Sequence, residues 1–283
     1  MIELNFMEDW KKYLEKEMVI LGKLYNQSAT IEWNTTNYLN LKRIVISNNK
    51  RTIHESKELC VPSKHANDYE EIKKMIRNGN DLYPYLSRKL EKDENFKELM
   101  LNDWGITHLH FKRKGTEYVL FTMFTETDAY VIQAMPHGKK YPLVWVNSEL
   151  LEILHNNWPE LIDVYKARMI TGDHLEPKEK YVLRYNGVNT LITTKDGSTY
   201  YPFGGGICTS GYNIYDVIDT DKIIDTLSKE EDFERSNESD FRKTLKISEE
   251  ENLTIKLIFE KTGCWLYEPD RKIKFNLFID NKC

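Results

Sequence analysis

Residues 6–25, FMEDWKKYLEKEMVILGKLY, space Phe6, Trp10, Tyr13, Leu14, Met18, Leu21 and Leu24 along one face at helical period. Gly22 weakens the end of that predicted helix. Residues 29–56 are rich in β-branched and aromatic positions and predict short strands, with SNNK as a turn. Residues 67–90 predict a helix that ends at Asn78-Gly79, where glycine supplies a left-handed cap, and a second helical stretch around and beyond Pro84. The run DENFKELMLNDWG predicts a short helix closed by Gly105.

The clearest pattern follows. ITHLHFKRK, EYVLFTMFTE and AYVIQAMPH are three strand-like runs separated by GT and TD, breaks of hairpin type. The middle run is apolar at both parities, as expected of a central strand covered on both faces. Residues 148–169 predict a helix capped by Ser148, with Leu150, Leu151, Leu154, Trp158, Leu161 and Ile162 in one stripe, kinked or split by Pro159. The polar segment 171–180 predicts a boundary. Residues 180–217 read as strands joined by YNG and KDG turns, residues 221–246 as an acidic helical stretch, and residues 253–280 as a final hairpin. The expected class is α+β: a mostly antiparallel sheet with a central three-stranded meander packed by helices, plus a β-rich C-terminal region. The expected regions are 1–89, 90–170 and 178–283.

Composition narrows the class. Hydrophobic residues at 40% and charged residues at 30% are those of a globular chain. No apolar run is long enough for a membrane helix, and the first residues lack the basic-then-apolar order of a signal peptide, so a cytoplasmic protein with no membrane association is expected. Cys60, Cys208, Cys264 and Cys283 stand singly, which predicts free, mostly buried thiols. The formal charge of −5 counts mildly against non-specific nucleic-acid binding. The charge is uneven, however. Residues 41–58 hold five cations against two acids, and residues 229–251 hold nine acids against five cations.

His108 and His110 stand at i and i+2 of a predicted strand and so share a face. They are metal ligands, catalytic groups or half-buried rings under a helix; the spacing alone does not choose. If Gly115-Thr116 is a two-residue turn, His110 faces Phe121, and if Thr127-Asp128 is the next, Phe121 faces Ala134. His137 then lies about 14 Å from His110, too far for one shared ion, at ~3.3 Å per residue and ~4.8 Å per strand. No metal or other cofactor is expected. The same register sets His137 against Tyr118 and near Arg113, with Lys112, Lys114, Lys139 and Lys140 around them. Cations that hold a phosphate beside a phenol or imidazole that moves protons suit metal-independent phosphodiester transfer. Lys42, Arg43, Lys50 and Arg51 are further candidates for a nucleic-acid backbone. Gly204, Gly205 and Gly206, in YYPFGGGICTSG, form a tight turn, a close crossing or a ligand-facing loop; no Walker or dinucleotide pattern accompanies them.

The order helix, three-stranded meander, a strand ending in histidine with two lysines close behind, then helix, over residues 90–165, resembles the RelE/ParE/HigB group of bacterial toxins. NDWGITHLHF also resembles a segment of bacterial proteins that carry no assigned activity. The toxin resemblance implies a compact antiparallel sheet and, in the RelE branch, mRNA cleavage. It implies Arg113, Tyr118 and His137 as catalytic residues and Lys112, Lys114, Lys139 and Lys140 as RNA contacts. The expected function is therefore an RNA-acting toxin or phage-defence endoribonuclease, with RNA and a protein as partners. The competing expectation is a non-enzymatic interaction subunit or inhibitor of such a system.

Overall fold

A computed structural model describes residues 2–113, 115–170, 172, 175–260 and 263–276. In chain order its elements are β1 (Ile2–Glu3), α1 (Phe6–Ile20), α2 (Ile31–Ile44), β2 (Thr52–Glu55), α3 (Ala66–Asn78), α4 (Lys89–Lys92), α5 (Leu99–Trp104), β3 (Thr107–His110), β4 (Tyr118–Phe124), β5 (Asp128–Pro136), α6 (Glu149–Asn157), α7 (Pro177–Tyr185), β6 (Ile192–Thr193), β7 (Thr199–Tyr200), α8 (Ile214–Ser236), α9 (Glu238–Leu245), β8 (Leu253–Thr254), β9 (Lys256–Glu260), β10 (Gly263–Glu268) and β11 (Ile273–Asn276). The class is mixed α and β with several small sheets. No helix among the described residues is long and apolar enough to cross a membrane.

The chain divides into two compact units, residues 1–39 with 217–283 and residues 40–216. The polar segment 171–180 falls inside the second unit. In the first unit α1 buries Phe6, Trp10, Leu14 and Met18 of the predicted stripe; Tyr13 is half-buried, and Leu21 and Leu24 fall beyond the helix end, Leu24 exposed. The final strands form an antiparallel sheet in the order β11-β10-β9, one strand more than the expected hairpin. Trp10 and Tyr13 pack on Phe259 of that sheet with ring centroids 5.1 and 4.7 Å away.

Two expected strand regions are helices. In α2 the hydroxyls of Thr35 and Thr36 donate to the carbonyls of Ile31 and Glu32, four residues back, at 2.8 and 2.9 Å. That bond satisfies a buried hydroxyl inside a helix, so threonine content is no argument for a strand there. Thr30 caps the start by accepting the Trp33 N–H at 3.2 Å. In α7, Pro177 occupies the first turn and Glu176 and Glu179 form a capping box.

The second unit is built on a four-stranded sheet in the order β2-β5-β4-β3. The meander β3-β4-β5 is antiparallel, as expected, and β2 joins its edge parallel to β5. The Gly79 and Gly105 caps are also as expected, with φ of 68° and 63° ending α3 and α5. One face of the sheet presents Val119, Phe121, Ile132 and Met135 to Leu150, Leu151 and Leu154 of α6 and to Val144 and Val146 in the turn before it. Pro159 does end α6, and two 3-10 turns, Pro159–Leu161 and Asp163–Tyr165, follow. Cys60, Cys208 and Cys264 form no disulfide among the described residues; Cys264 is buried, Cys208 half-buried and Cys60 exposed, which corrects the expectation of mostly buried thiols.

Candidate functional site

Register decides which side chains meet. His110 pairs with Val119 and His108 with Phe121, two residues from the expected partners. The connection from β3 to β4 is not a two-residue turn but a seven-residue loop, held by side-chain bonds. The Phe111 N–H donates to Thr116 Oγ1 at 3.0 Å, the Thr116 hydroxyl donates to the Tyr118 carbonyl at 2.5 Å, and the Gly115 N–H donates to Lys112 O at 2.9 Å. On the other side, Tyr118 pairs with Pro136, and the His137 N–H continues the ladder to Glu117 O at 2.9 Å. His137 therefore shares the face of Met135, Val119 and His110. Its ring centroid lies 5.0 Å from that of His110, which in turn lies 5.9 Å from that of His108. The expected 14 Å gap is closed.

The three rings line one wall of a cavity of about 650 Å3 inside the second unit. Trp145 packs edge-on against His108 and His137, at 4.8 and 5.8 Å. Phe96, Tyr181 and Tyr185 add aromatic surface, and Lys89 and Lys139 add exposed cations. Glu98, at the start of α5, also lines the space, and its Oε2 lies 3.4 Å from His108 Nδ1. That approach is too poorly aligned for a hydrogen bond, and His108 Nδ1 is buried with no hydrogen-bond partner.

One residue fixes the protons of two rings. The Thr116 N–H donates to His110 Nδ1 at 3.1 Å, and the Thr116 carbonyl accepts from His137 Nε2 at 2.6 Å. A neutral imidazole carries one N–H. His110 therefore holds its proton on Nε2 and offers a donor, while His137 holds its proton on Nε2 and offers Nδ1 as an acceptor. The same bonds argue against a shared metal ion, since the lone pair of His110 is already taken. Among the described residues no group of three or more His, Cys, Asp or Glu side chains is arranged to hold one.

Burial sets the charge states. It pushes His108 down to about 3, helped by the neighbouring His110, His137 and Lys89. It pushes His110 down to about 4, again helped by His137, and lowers His137. All three rings are neutral at pH 7. Glu98 moves the other way: burial raises it to about 7, against the pull of Lys89 and Arg184. The pocket thus holds three neutral imidazoles and one carboxyl poised between its two forms.

The floor is held by a buried ion pair. Arg184 of α7 donates from Nε and Nη2 to Asp103 Oδ2 of α5 at 2.8 and 2.6 Å, and from Nη1 to the Trp145 carbonyl. Its guanidinium lies 4.1 Å over the Trp104 ring. With every nitrogen engaged, Arg184 shapes the cavity and is not free to grip an anion.

The expected catalytic trio is not brought together. Pairing with Pro136 puts Tyr118 on the opposite face from His137, and one residue of register is enough to do this. Its ring lies 6.3 Å from that of His65 and under Lys64 Nζ at 5.1 Å. Arg113 is exposed and lies outside the cavity lining. Of the expected phosphate contacts, Lys139 lines the cavity, Lys140 is exposed beside it in sequence, Lys112 lies 3.7 Å from Asp68, and Lys114 lies outside the described residues.

The second basic group is partly structural. Arg43 donates to both oxygens of Asp216, at 3.2 and 2.7 Å. Arg51 is buried and donates to Ser47 O, Asn49 O, Thr125 O and Ser47 Oγ. Lys42 and Lys50 are exposed, and Lys50 borders a shallow depression with Arg77. The triple-glycine loop does make a close backbone approach, but to α5. A Cβ on Gly204 would stand 2.4 Å from Gly105 N and Leu101 O. The N–H groups of Gly204, Gly205 and Gly206 go to Asp103 O, Pro202 O and Asn102 O. They leave no donors for a ligand, which corrects the ligand-facing reading.

Glu98, Trp145, Tyr181, Tyr185 and Arg184 carry no motif in the sequence. No family model, curated protein or solved structure matches this chain.

Proposed function

We propose that the cavity of the second unit is an acid–base site that cleaves single-stranded RNA by metal-independent phosphodiester transfer. One observation carries the reading. An imidazole acceptor and an imidazole donor are fixed 5.0 Å apart by the two backbone groups of Thr116, in a pocket that also holds a carboxyl of pKa about 7.

In this reading His137 Nδ1 takes the proton of the 2′-hydroxyl as O2′ attacks phosphorus. The bond from phosphorus to O5′ breaks, and O5′ takes the proton of the Glu98 carboxyl. The products are a 2′,3′-cyclic phosphate and a 5′-hydroxyl end. His110 Nε2–H donates to a non-bridging oxygen as charge builds there, and Lys89 and Lys139 offset that charge. Solvent returns the proton from His137 to Glu98. The rate should fall above pH 7 as Glu98 ionises and fall in acid as His137 gains a proton. The toxin-like order of residues 90–165 supports RNA as the substrate, with a defence or toxin role for the whole. His137 is retained from the sequence-based trio; Glu98 and His110 take the places of Tyr118 and Arg113.

The test is cleavage of a labelled single-stranded RNA in the presence of EDTA, with the new ends identified. Glu98→Gln and His137→Ala should each slow cleavage by about 10²–10⁴-fold, and a 2′-deoxy substrate should survive. Undiminished cleavage by both variants, dependence on an added divalent ion, or no cleavage of any RNA would overturn the reading. A protein-binding role has its own support: Val164, Met169 and Ile170 are exposed apolar side chains close together in sequence. That is the surface on which an interaction subunit would be sought.

A further inference from the structure

Tyr181 and Tyr185 stand one helical turn apart on α7 and both line the cavity. Their rings lie 4.5 Å apart and are tilted by 34°. Tyr181 packs against the hydrophobic core, whereas Tyr185 is 57% exposed. Tyr185 packs against that neighbour and still leaves more than half of its surface in solvent. It is also rigid. Arg184, between the two on the same helix, is tied to Asp103 and to the Trp145 carbonyl, and the capping box secures the first turn. Lys89 and Lys139 line the same cavity, are exposed, and form no ion pair among the described residues.

We infer that Tyr185, backed by Tyr181, is the stacking platform for one unpaired base of an RNA strand, whose backbone runs past Lys89 and Lys139 to the imidazole wall. The inference rests on the proposed function and adds what selects the substrate. Aromatic faces accept any base, so the platform confers little sequence preference. It requires the base to be unstacked from its neighbours, so paired RNA is excluded. A cavity of about 650 Å3 has room for a nucleotide and not for a duplex end.

The experiment is fluorescence anisotropy with a short 2′-O-methyl oligonucleotide, which cannot be cleaved at its blocked hydroxyls. The wild-type chain should bind the single strand at least about tenfold more tightly than the same sequence in duplex. Loss of one stacked base costs roughly 5- to 150-fold in affinity, so Tyr185→Ala should weaken binding within that range. Tyr185→Phe keeps the ring and should bind like wild type. Equal affinity of Tyr185→Ala and wild type, or equal binding of duplex and single strand, overturns the platform. The probe is not a substrate, so the two ideas fail separately. Cleavage lost with ring-dependent binding intact removes only the acid–base chemistry, and cleavage retained with ring-independent binding removes only the platform. No binding at all overturns the platform outright.

Discussion

Arg184→Leu should destabilise the second unit by about 3–5 kcal/mol, the usual cost of removing one partner from a buried ion pair. The side chains of Arg184 and Asp103 are 4% and 5% exposed, so neither charge can turn to water if the other is lost. Burial already works against both, raising the Asp103 carboxyl and lowering the Arg184 guanidinium, while their mutual attraction opposes it. Asp103 has little to fall back on, because its Oδ1 is buried without a hydrogen-bond partner. The variant also loses the bond to the Trp145 carbonyl and the contact with the Trp104 ring. The double variant Asp103→Leu/Arg184→Leu removes both charges together and should recover much of the loss. Urea denaturation followed by tryptophan fluorescence reads the three midpoints. A single variant as stable as wild type, or a double variant worse than both singles, would show that the pair does not lock α7 to α5.

Acid should destabilise the unit in a way that two substitutions move in opposite directions. The folded-state pKa of His108 and His110 lies at about 3 and 4, below the ordinary imidazole value. Between those values and ~6.5 the unfolded chain binds protons that the folded chain refuses, so stability falls as pH falls. At ~1.36 kcal/mol per pH unit, each ring costs on the order of 3 kcal/mol between pH 6.5 and 4. Glu98 has the opposite sign. Its folded-state pKa of about 7 lies above the ordinary carboxyl value, so the folded chain holds the extra proton, and stability falls as pH rises from ~4.5 to 7. His108→Leu should flatten the loss of stability in acid. Glu98→Gln, which removes the compensating group, should steepen it. Denaturation midpoints measured at several pH values between 4 and 8 read both slopes, and slopes that match wild type would mean that the rings are hydrated and titrate normally.

The meander, the glycine caps and the α1 stripe were legible because each is a local signal: alternation, a left-handed glycine, or an apolar period. The helices α2 and α7 were not, because the bonds that decide them run from Thr35 and Thr36 to carbonyls a turn away and from Glu176 to Glu179. The site failed for a sharper reason. Alternation names the two faces of each strand but not the offset between strands. Thr116 lengthened one connection by folding it onto His110, and this moved His110 along the sheet to His137. A β-bulge between the Thr122–Val131 and Phe121–Gln133 pairs shifted the register by one residue and sent Tyr118 to the far face. His108 and His110 belong to the site, and their partners Glu98 and Trp145 become visible only once the chain is folded.

The geometry around Thr116 is open to direct observation by 15N-correlated NMR of the histidine side chains. His110 and His137 should both carry their proton on Nε2, neither His108 nor His110 should move toward imidazolium shifts between pH 8 and 5.5, and His137 should do so only below the ordinary imidazole range. Protons on Nδ1, or three rings that titrate together near pH 6.5, would contradict the buried, tautomer-fixed cluster on which the proposed chemistry stands.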